Sequence, residues 1–312
     1  MAPTGVVSVN DGPRITINDL VGNPKLVPTK IIELLANQFL SESLLRDAGP
    51  NVNGLVSYNE STPLYLEEGP EPVAEFAEIP VTAGAIGLPK IAVSQKIARG
   101  IRVSKEMIDE GRLDLAQMQI TQLVNTFIRN DDRALRHLLS NSAIPEIPAS
   151  AAWTDGAGNP RHDIAAAMEK IGSASLSGDT DGDDTMGFVA DTVVLPASIT
   201  PVLMDNDKFI DVYKDTLAAE DIRYTGKLPN QIMGMAALQS RSWPLDRVLV
   251  VERRTVGFYS DTRVLQSTNM YPEGGGPNGG PTESWRSDTS RKRVKGVDQP
   301  LAACWITGVQ GG

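Results

Sequence analysis

Residues 67–103 read EEGPEPVAEFAEIPVTAGAIGLPKIAVSQKIARGIRV, and their charges separate by sign along the chain. The first part carries acids without cations, and the second part carries cations without acids. The acids are Glu67, Glu68, Glu71, Glu75 and Glu78, and the cations are Lys90, Lys96, Arg99 and Arg102. Charges arranged in this way raise the question of which surface neutralises them.

The second part of the stretch has the period of a β-strand. From Lys90 to Val103 the odd positions are mostly apolar and the even positions are small or charged. Fourteen residues at about 3.3 Å each span roughly 46 Å, whereas a usual strand has about 5 to 6 residues. One compact domain has little room for such a strand, so we expect something outside the domain to cover it.

The composition is that of an acidic globular protein. The 312 residues are 41% hydrophobic, with a net charge of −10 and a pI near 4.8. This acidity argues against a protein whose main role is to neutralise nucleic-acid phosphates. The first residues lack signal-peptide features, and Pro196 and Pro201 interrupt the most apolar later stretch, so we expect neither export nor a membrane segment. The single cysteine, Cys304, is expected to be a buried structural thiol.

Helical and strand periods alternate along the rest of the chain, which predicts a mixed α+β fold. A short amphipathic helix is predicted within residues 29–47, and the longest helix is predicted over residues 104–141. A bend or break of its first turns at Gly111 is left open, and residues 114–141 alone would form a long helix. Ser104 is a suitable N-cap for this long helix, and Pro145 follows its end. A further helix is predicted in RHDIAAAMEKIGSASL, residues 161–176, with Asp163 as its N-cap. Short strands are predicted towards the carboxyl end.

One acidic loop resembles a calcium site but has the wrong register. Asp179, Asp181 and Asp183 alternate as in calcium-binding loops, yet Asp184 and Ala190 stand where an EF-hand needs glycine and glutamate. A solvated surface loop is therefore favoured over an ion site, and no metal ligands are predicted.

Catalytic and cofactor motifs are likewise unsupported. The two histidines are His137 and His162, and no serine stands in a nucleophile-elbow pattern. The glycine-rich EGGGPNGGP, residues 273–281, lacks the lysine and hydroxyl of a phosphate loop and is expected to be flexible. We therefore predict no catalytic or cofactor-binding residues and a protein that is not an enzyme.

The sharpest basic cluster is SRKRVK, residues 290–295. In a strand, Arg291 and Arg293 would face one side and Lys292 the other, and no aromatic platform accompanies them. A subunit contact or a solvated edge strand is therefore favoured over a nucleic-acid patch.

The order of these elements resembles the major capsid proteins of tailed bacteriophages, the Hong Kong ninety-seven fold family. The most specific part is VAEFAEIPVTAGAIGLPKIAVSQKIARGIRVSKEMIDE, which looks like the second half of that family's extended loop running into its spine helix. The end of the chain, SWRSDTSRKRVKGVDQPLAACWITGV, looks like the family's closing strands.

The resemblance implies a division of the chain into five parts. They are an N-terminal arm with a short helix (1–55), an extended β-ribbon loop (56–103), a peripheral domain with the spine helix (104–198), an axial domain (199–289) and closing strands (290–312). It also implies copies that assemble into hexamers and pentamers, which close an icosahedral shell around double-stranded DNA. Such a protein would be part of the virion and would assemble in the cytoplasm of the host cell.

Two departures from the family shape the expected assembly. Some members cross-link through a lysine of the extended loop, but no lysine occurs between Val56 and Pro89, so we expect a noncovalent shell. Other members carry a long scaffold segment before the loop, and only about fifty residues precede it in this sequence. We therefore expect a separate scaffolding protein, besides a portal and weak nonspecific contact with packaged DNA.

Charge pairing suggests which residues join neighbouring subunits. Glu67, Glu68, Glu71, Glu75 and Glu78 could meet Arg99, Arg102, Arg291 or Arg293 of an adjacent chain. Pairing within the same ribbon is an equally open alternative. Two other functions also remain open at this point. One is an encapsulin-like nanocompartment shell that encloses cargo enzymes, and the other is a soluble hydrolase using His162 or an acidic cluster.

Overall fold

The computed structural model describes residues 26–36, 38–63, 66, 68–82, 84, 86–110, 113–176, 185–210 and 231–310. Its helices are α1 (Leu26–Leu35), α2 (Leu40–Leu44), α3 (Lys105–Asp109), α4 (Leu113–Ser140), α5 (Pro160–Gly172), α6 (Ile199–Asp205) and α7 (Asp207–Ile210). Its strands are β1 (Arg46–Asp47), β2 (Leu55–Glu60), β3 (Leu88–Val93), β4 (Gln95–Ser104), β5 (Glu146–Pro148), β6 (Thr192–Pro196), β7 (Gln231–Ile232), β8 (Met235–Ser240), β9 (Arg247–Val251), β10 (Gly257–Ser267), β11 (Tyr271–Pro272), β12 (Ser284–Val297) and β13 (Ala303–Thr307). Short 3-10 helices span Pro277–Thr282 and Pro300–Ala302. The predicted mixed α+β class is confirmed.

The chain divides into two compact units, each assembled from separate stretches. The first unit takes its described residues from Met1–Gln38, Gln95–Ile128 and Arg263–Lys292, and the second takes them from Phe39–Ser94, Arg129–Thr262 and Arg293–Gly312. The predicted peripheral and axial domains are contiguous segments and stay a prediction.

A mixed sheet holds the main core of the second unit. Among the described residues its strand order is β5-β13-β9-β6-β8-β7, with β6 parallel to β8 and antiparallel to β9. All five residues of β6, TVVLP, are buried, as expected for a strand covered on both faces. Helix α5 contributes Ile164, Ala167 and Ile171 to the same core, at the spacing of one helical face.

The first unit contains strand pairing around β12. Both β4 and β11 pair with β12, and Tyr271 lies opposite Arg286. A Cβ at Gly100 in β4 would collide with the Asp288 carboxylate and lie a tight 3.1 Å from the Ser287 backbone oxygen, so a larger residue would displace the Asp288 side chain.

The junction between the extended region and the long helix is confirmed at Ser104. The Ser104 Oγ accepts a hydrogen bond from the Met107 backbone N at 3.3 Å, which caps α3. The helix predicted over 104–141 is divided into α3 and α4. The division falls in the first turns, where the sequence leaves a break open, and residues 111–112 lie outside the described part of the chain. Helix α4 has 28 residues and ends before Pro145, as predicted.

The predicted fourteen-residue strand is wrong, because the chain breaks it at Ser94. The backbone N of Ser94 donates to the carbonyl oxygen of Gly54 at 2.8 Å. Strand β3 lies before this break in the second unit, where it pairs with β2, and β4 lies after it in the first unit. The alternation continues across the break because both strands have the same period.

The predicted N-cap at Asp163 is also wrong. Helix α5 begins at Pro160, and the Asn159 side-chain oxygen caps it by accepting from the His162 backbone N at 3.3 Å. Asp163 is instead buried, and its carboxylate accepts hydrogen bonds from Trp153 Nε1 at 2.8 Å and from the Ser150 backbone N at 3.0 Å.

Several smaller predictions concern single residues or loops. Cys304 is buried as predicted, and this burial raises the pKa of its thiol to about 11. The acidic loop with Asp179, Asp181 and Asp183 lies outside the described residues. Within the described ranges, no helix combines the length and apolar character that a membrane crossing requires.

Candidate functional site

Strands β2 and β3 form an antiparallel two-stranded ribbon, and residues 61–87 form its connection, which we call the ribbon loop. The register runs from Leu55 opposite Val93 to Glu60 opposite Leu88. An isolated ribbon of this kind is marginal in water, so its position depends on contacts beyond its own pairing.

The base of the ribbon is fixed to the second unit. The ring of Tyr58 packs edge-on against Phe258, with centroids 5.1 Å apart. At the start of the ribbon loop the Ser61 backbone N donates to the Asp298 carbonyl oxygen at 2.8 Å, and Gln299 Nε2 donates to the Thr62 carbonyl oxygen at 2.8 Å. The ribbon loop therefore begins from an anchored point.

One ion pair lies within the ribbon. Glu60 is only 7% exposed, and its carboxylate pairs with Lys90 Nζ at 2.5 Å on the facing strand. Glu60 and Lys90 thus pair within one ribbon, as the alternative to contact between subunits proposed. Glu60 is not one of the predicted contact acids.

The predicted contact acids lie in the ribbon loop. Glu68, Glu71, Glu75 and Glu78 are exposed, and Glu67 lies outside the described residues. The Glu68 carboxylate accepts a hydrogen bond from Thr82 Oγ1 at 2.6 Å. The side chains of Glu71, Glu75 and Glu78 form neither hydrogen bonds nor ion pairs with other described residues.

The ribbon loop also exposes large apolar side chains. Phe76 is 99% exposed and occupies the left-handed region at φ 69°, where a turn presents its ring to solvent. The other exposed apolar residues of the loop are Leu66, Val73, Ile79, Val81 and Ile86. Such a concentration of exposed apolar side chains marks an interaction surface.

The first unit carries a separate cavity of about 630 Å³ along β4, which we call the basic groove. Its charged lining consists of Lys96, Arg99, Arg102, Arg286 and Asp288. The predicted contact residues Arg99 and Arg102 are therefore neighbours in this groove, whereas Lys96 and Arg286 were not predicted.

Two of the groove arginines are held by acids of the same unit. Arg102 contacts both carboxylate oxygens of Glu273, with its Nη2 at 2.7 Å and its Nε at 2.6 Å. This hydrogen bonding from Arg102 lowers the pKa of Glu273. Arg286 Nε donates to Asp288 at 2.7 Å, and the other oxygen of Asp288 accepts from the Tyr271 hydroxyl at 2.6 Å.

The structure corrects the prediction of Arg291 and Arg293 as surface contacts. Arg291 is 1% exposed and Arg293 is 8% exposed. Strand β12 is not an edge strand, because it has paired neighbours on both sides. The alternation of side chains along the strand correctly predicted that Lys292 lies on the face opposite to Arg291 and Arg293. The face that carries the two arginines, however, is the buried one.

Arg293 belongs to what we call the buried charge cluster of the second unit. Its guanidinium donates to both oxygens of Asp261 at 2.7 Å and to Glu42 at 2.9 Å. The guanidinium carbon also lies 4.2 Å from the centroid of the Tyr259 ring. Burial acts to lower the pKa of Arg293, but the hydrogen bonds and charge of Asp261 outweigh it and raise the pKa above its usual value.

A second ion pair continues this cluster. Lys295 Nζ contacts Asp131 Oδ1 at 2.7 Å, and the Ser41 Oγ donates to the other oxygen of Asp131 at 2.5 Å. Asp131 was missed in the sequence, although a signal exists. It stands between Phe127 and Leu135 at intervals of four, and therefore on the apolar face of its helix.

The two histidines lie at ordinary helix positions. His137 is exposed near the end of α4 and contacts the Asn141 side chain at 3.1 Å. His162 is exposed in the first turn of α5, where its backbone N takes part in the Asn159 cap. Among the described residues, no group of three or more His, Cys, Asp or Glu side chains could hold a metal ion.

One family model matches this chain. The model of the family described as phage capsid protein matches residues 88–297. No match was found among curated proteins.

Solved structures share the fold at low sequence identity. A virus-like particle from Pyrococcus furiosus has a TM-score of 0.59 at 10% identity, covering 90% of this chain and 98% of that chain. A phage-related protein from Bordetella bronchiseptica RB50 has a TM-score of 0.57 at 13% identity, with coverage of 91% and 97%. The capsid of Myoviridae phage XM1 has a TM-score of 0.54 at 12% identity, with coverage of 85% and 89%. At such identities the likeness concerns the fold alone.

Proposed function

Since this chain belongs to the phage capsid protein family, we propose that its copies assemble into hexamers and pentamers that close an icosahedral shell around double-stranded DNA. The family is one of structural proteins of the virion, and our proposal assigns the chain no enzymatic step. Assembly takes place in the cytoplasm of the host cell.

The observation that carries the proposal is the ribbon loop. Its exposed apolar side chains and acids extend from a base that is anchored by Tyr58 and Ser61. Burying one side chain such as Phe76 against a neighbour contributes about 1.5–3 kcal/mol. Because every subunit repeats this contact, modest contributions add up around the shell.

We propose a noncovalent shell built with help from other proteins. The absence of lysine from the ribbon loop supports the noncovalent contact. A separate scaffolding protein and a portal complete the assembly. Contact with packaged DNA is weak and nonspecific, because a net charge of −10 opposes tight binding of phosphates.

Replacing residues 63–86 by a short Gly-Ser linker tests the role of the loop. The variant keeps Ser61, Thr62 and Gly87, so the base of the ribbon stays intact. We expect native circular dichroism but no closed shells in electron micrographs. A control variant carries Val189→Ser and Leu245→Ser, which change exposed apolar residues outside the loop. Normal particles from the loop replacement would overturn the proposed contact.

An encapsulin-like compartment is the alternative use of the same fold. The similarity to a virus-like particle leaves the enclosed content open, whereas the match to the capsid family favours a phage shell. Nuclease-protected double-stranded DNA in purified particles is the expected result, and a protein cargo in its place would support the compartment. The hydrolase alternative requires an activity that His162→Ala abolishes.

A further inference from the structure

We propose that the basic groove of one subunit receives the acidic ribbon loop of a second copy of the chain. The inference rests on the proposed assembly and adds the docking site. The groove is lined by Lys96, Arg99, Arg102 and Arg286, and the incoming segment carries Glu71, Glu75 and Glu78.

The charge of the groove identifies an anionic partner. Its four cations face two carboxylates, Asp288 in the lining and Glu273 beside it, so two positive charges are left in excess. Lys96 and Arg99 are exposed, and neither pairs with a carboxylate among the described residues. These two side chains are the ones available to an acidic segment.

The remaining cations are already oriented. Glu273 holds the guanidinium of Arg102 through both oxygens, and Asp288, itself hydrogen-bonded by Tyr271, holds Arg286. Their side chains therefore lose little conformational freedom when a partner docks. Arg102 and Arg286 act as positioning residues that define the wall of the groove, while Lys96 and Arg99 make the new ion pairs.

The ribbon loop has the matching chemistry. Its acids Glu71, Glu75 and Glu78 are exposed and form no side-chain ion pairs among the described residues, and Phe76 directly follows Glu75. Nucleic acid is a weaker candidate, because phosphates would satisfy the groove but leave the acids and apolar side chains of the loop uncovered. A second copy satisfies both surfaces at once.

A charge-swap experiment tests the pairing in the full-length chain. The groove variant is Lys96→Glu with Arg99→Glu, and the loop variant is Glu71→Lys with Glu75→Lys. We expect each variant to reduce the yield of closed shells about tenfold at low salt, which corresponds to a few weakened pairs per contact. The chain that combines all four changes should recover a yield within about twofold of the original, since the pairs form again with reversed sign.

The matched control is Arg161→Glu with Arg241→Glu, which alters net charge as much as the groove variant at exposed positions of the second unit. This control should assemble normally. The groove variant sets like charges opposite each other, so added salt should raise its shell yield, whereas added salt should lower the yield of the original chain. A purely structural role of Lys96 and Arg99 would not reverse this dependence.

Two outcomes would overturn the inference. They are normal assembly of the groove variant and no recovery in the combined chain. In the first case, reduced binding of a duplex DNA probe by the groove variant would show that the groove binds nucleic acid. If loop replacement abolishes shells while the groove variant assembles normally, the proposed function stands and only the docking site is wrong. If neither the loop nor the groove affects assembly, both proposals fail.

Discussion

The buried charge cluster and the ribbon loop use the same kinds of side chains for opposite purposes. In the cluster, Arg293 is 8% exposed and contacts Asp261 and Glu42 within its own subunit. In the loop, Glu71, Glu75 and Glu78 are exposed and have no ion-pair partner among the described residues. The charges of the cluster are therefore paired within one protomer, whereas these charges of the loop remain available for a partner.

This contrast separates folding from assembly. A buried charge must find its partners when the chain folds, because leaving it unpaired costs several kcal/mol. An exposed charge is solvated and contributes little to folding, so it remains available for a later contact. Substitutions in the cluster should therefore change stability, and substitutions in the loop should change assembly.

The largest expected effect comes from Arg293→Ala. The substitution leaves Asp261 and Glu42 without their buried cation, so we expect a loss of about 3–5 kcal/mol in the free energy of unfolding. Urea denaturation of the unassembled subunit measures this loss. The control is Arg99→Ala, an exposed arginine, which should change stability by less than about 0.5 kcal/mol. Equal losses of stability from the two substitutions would contradict the conclusion that buried charges, and not exposed ones, determine folding stability.

A smaller loss is expected from Asp163→Ala. The change removes the acceptor of Trp153 Nε1 and of the Ser150 backbone N, and leaving the buried Trp153 donor without a partner should cost about 2 kcal/mol. Asn159→Ala, which removes the helix cap, should cost about 1 kcal/mol. If Asn159→Ala proved the more damaging of the two in thermal unfolding, the buried role of Asp163 would be refuted.

Asp132→Asn should stabilise the protein, and the gain should depend on pH. Burial raises the pKa of Asp132, with the charge of Asp131 adding to it and the hydrogen bond from Ser240 opposing it. The folded state therefore holds this proton more tightly than the unfolded state, and the contribution of Asp132 to stability falls as pH rises above about 4. Asparagine does not titrate, so we expect a gain of about 1 kcal/mol at pH 7 and none near pH 3.

A pH series of urea denaturation curves measures this effect. Asp246→Asn, at an exposed carboxylate of the same unit, serves as the control and should show no such trend. A gain at pH 3 as large as that at pH 7 would show that titration of Asp132 is not the cause.

The smallest effect on stability is expected from Phe76→Ser. The ring is 99% exposed, so the free energy of unfolding should change by less than about 0.5 kcal/mol. Shell yield should nevertheless fall, because the ring is expected to be buried between subunits. Particle counts in electron micrographs beside a denaturation curve separate the two quantities. A large loss of stability with unchanged assembly would show that Phe76 serves folding and not the contact between subunits.

Local signals explain what could be predicted from the sequence. The cap at Ser104, the end of α4 before Pro145 and the burial of Cys304 depend on near neighbours in the chain, and each is confirmed. The mixed fold class follows from the periods of helices and strands. The acids of the ribbon loop could also be selected as candidate contact residues, because the sequence itself shows that they are separated from the cations.

The failures arise from partners that are distant in the sequence. Arg293 finds Glu42 across 251 positions, and no local pattern indicates that this basic stretch lies in an interior strand. The break at Ser94 is hidden because β3 and β4 share the same alternation while pairing with different strands. Lys96 and Arg286 join one groove only because β4 pairs with β12.

The pairing of Glu60 with Leu88 closes the ribbon loop at its base. The rest of the fold therefore does not depend on how many residues the loop contains. The entropy of closing a flexible loop grows slowly, by about 0.6 kcal/mol for each doubling in length. Lengthening or shortening this segment should therefore leave the core undisturbed. For the same reason, a foreign peptide inserted near Phe76 should be exposed on the loop. Such an insertion should weaken the contact between subunits but leave the free energy of unfolding of each subunit nearly unchanged.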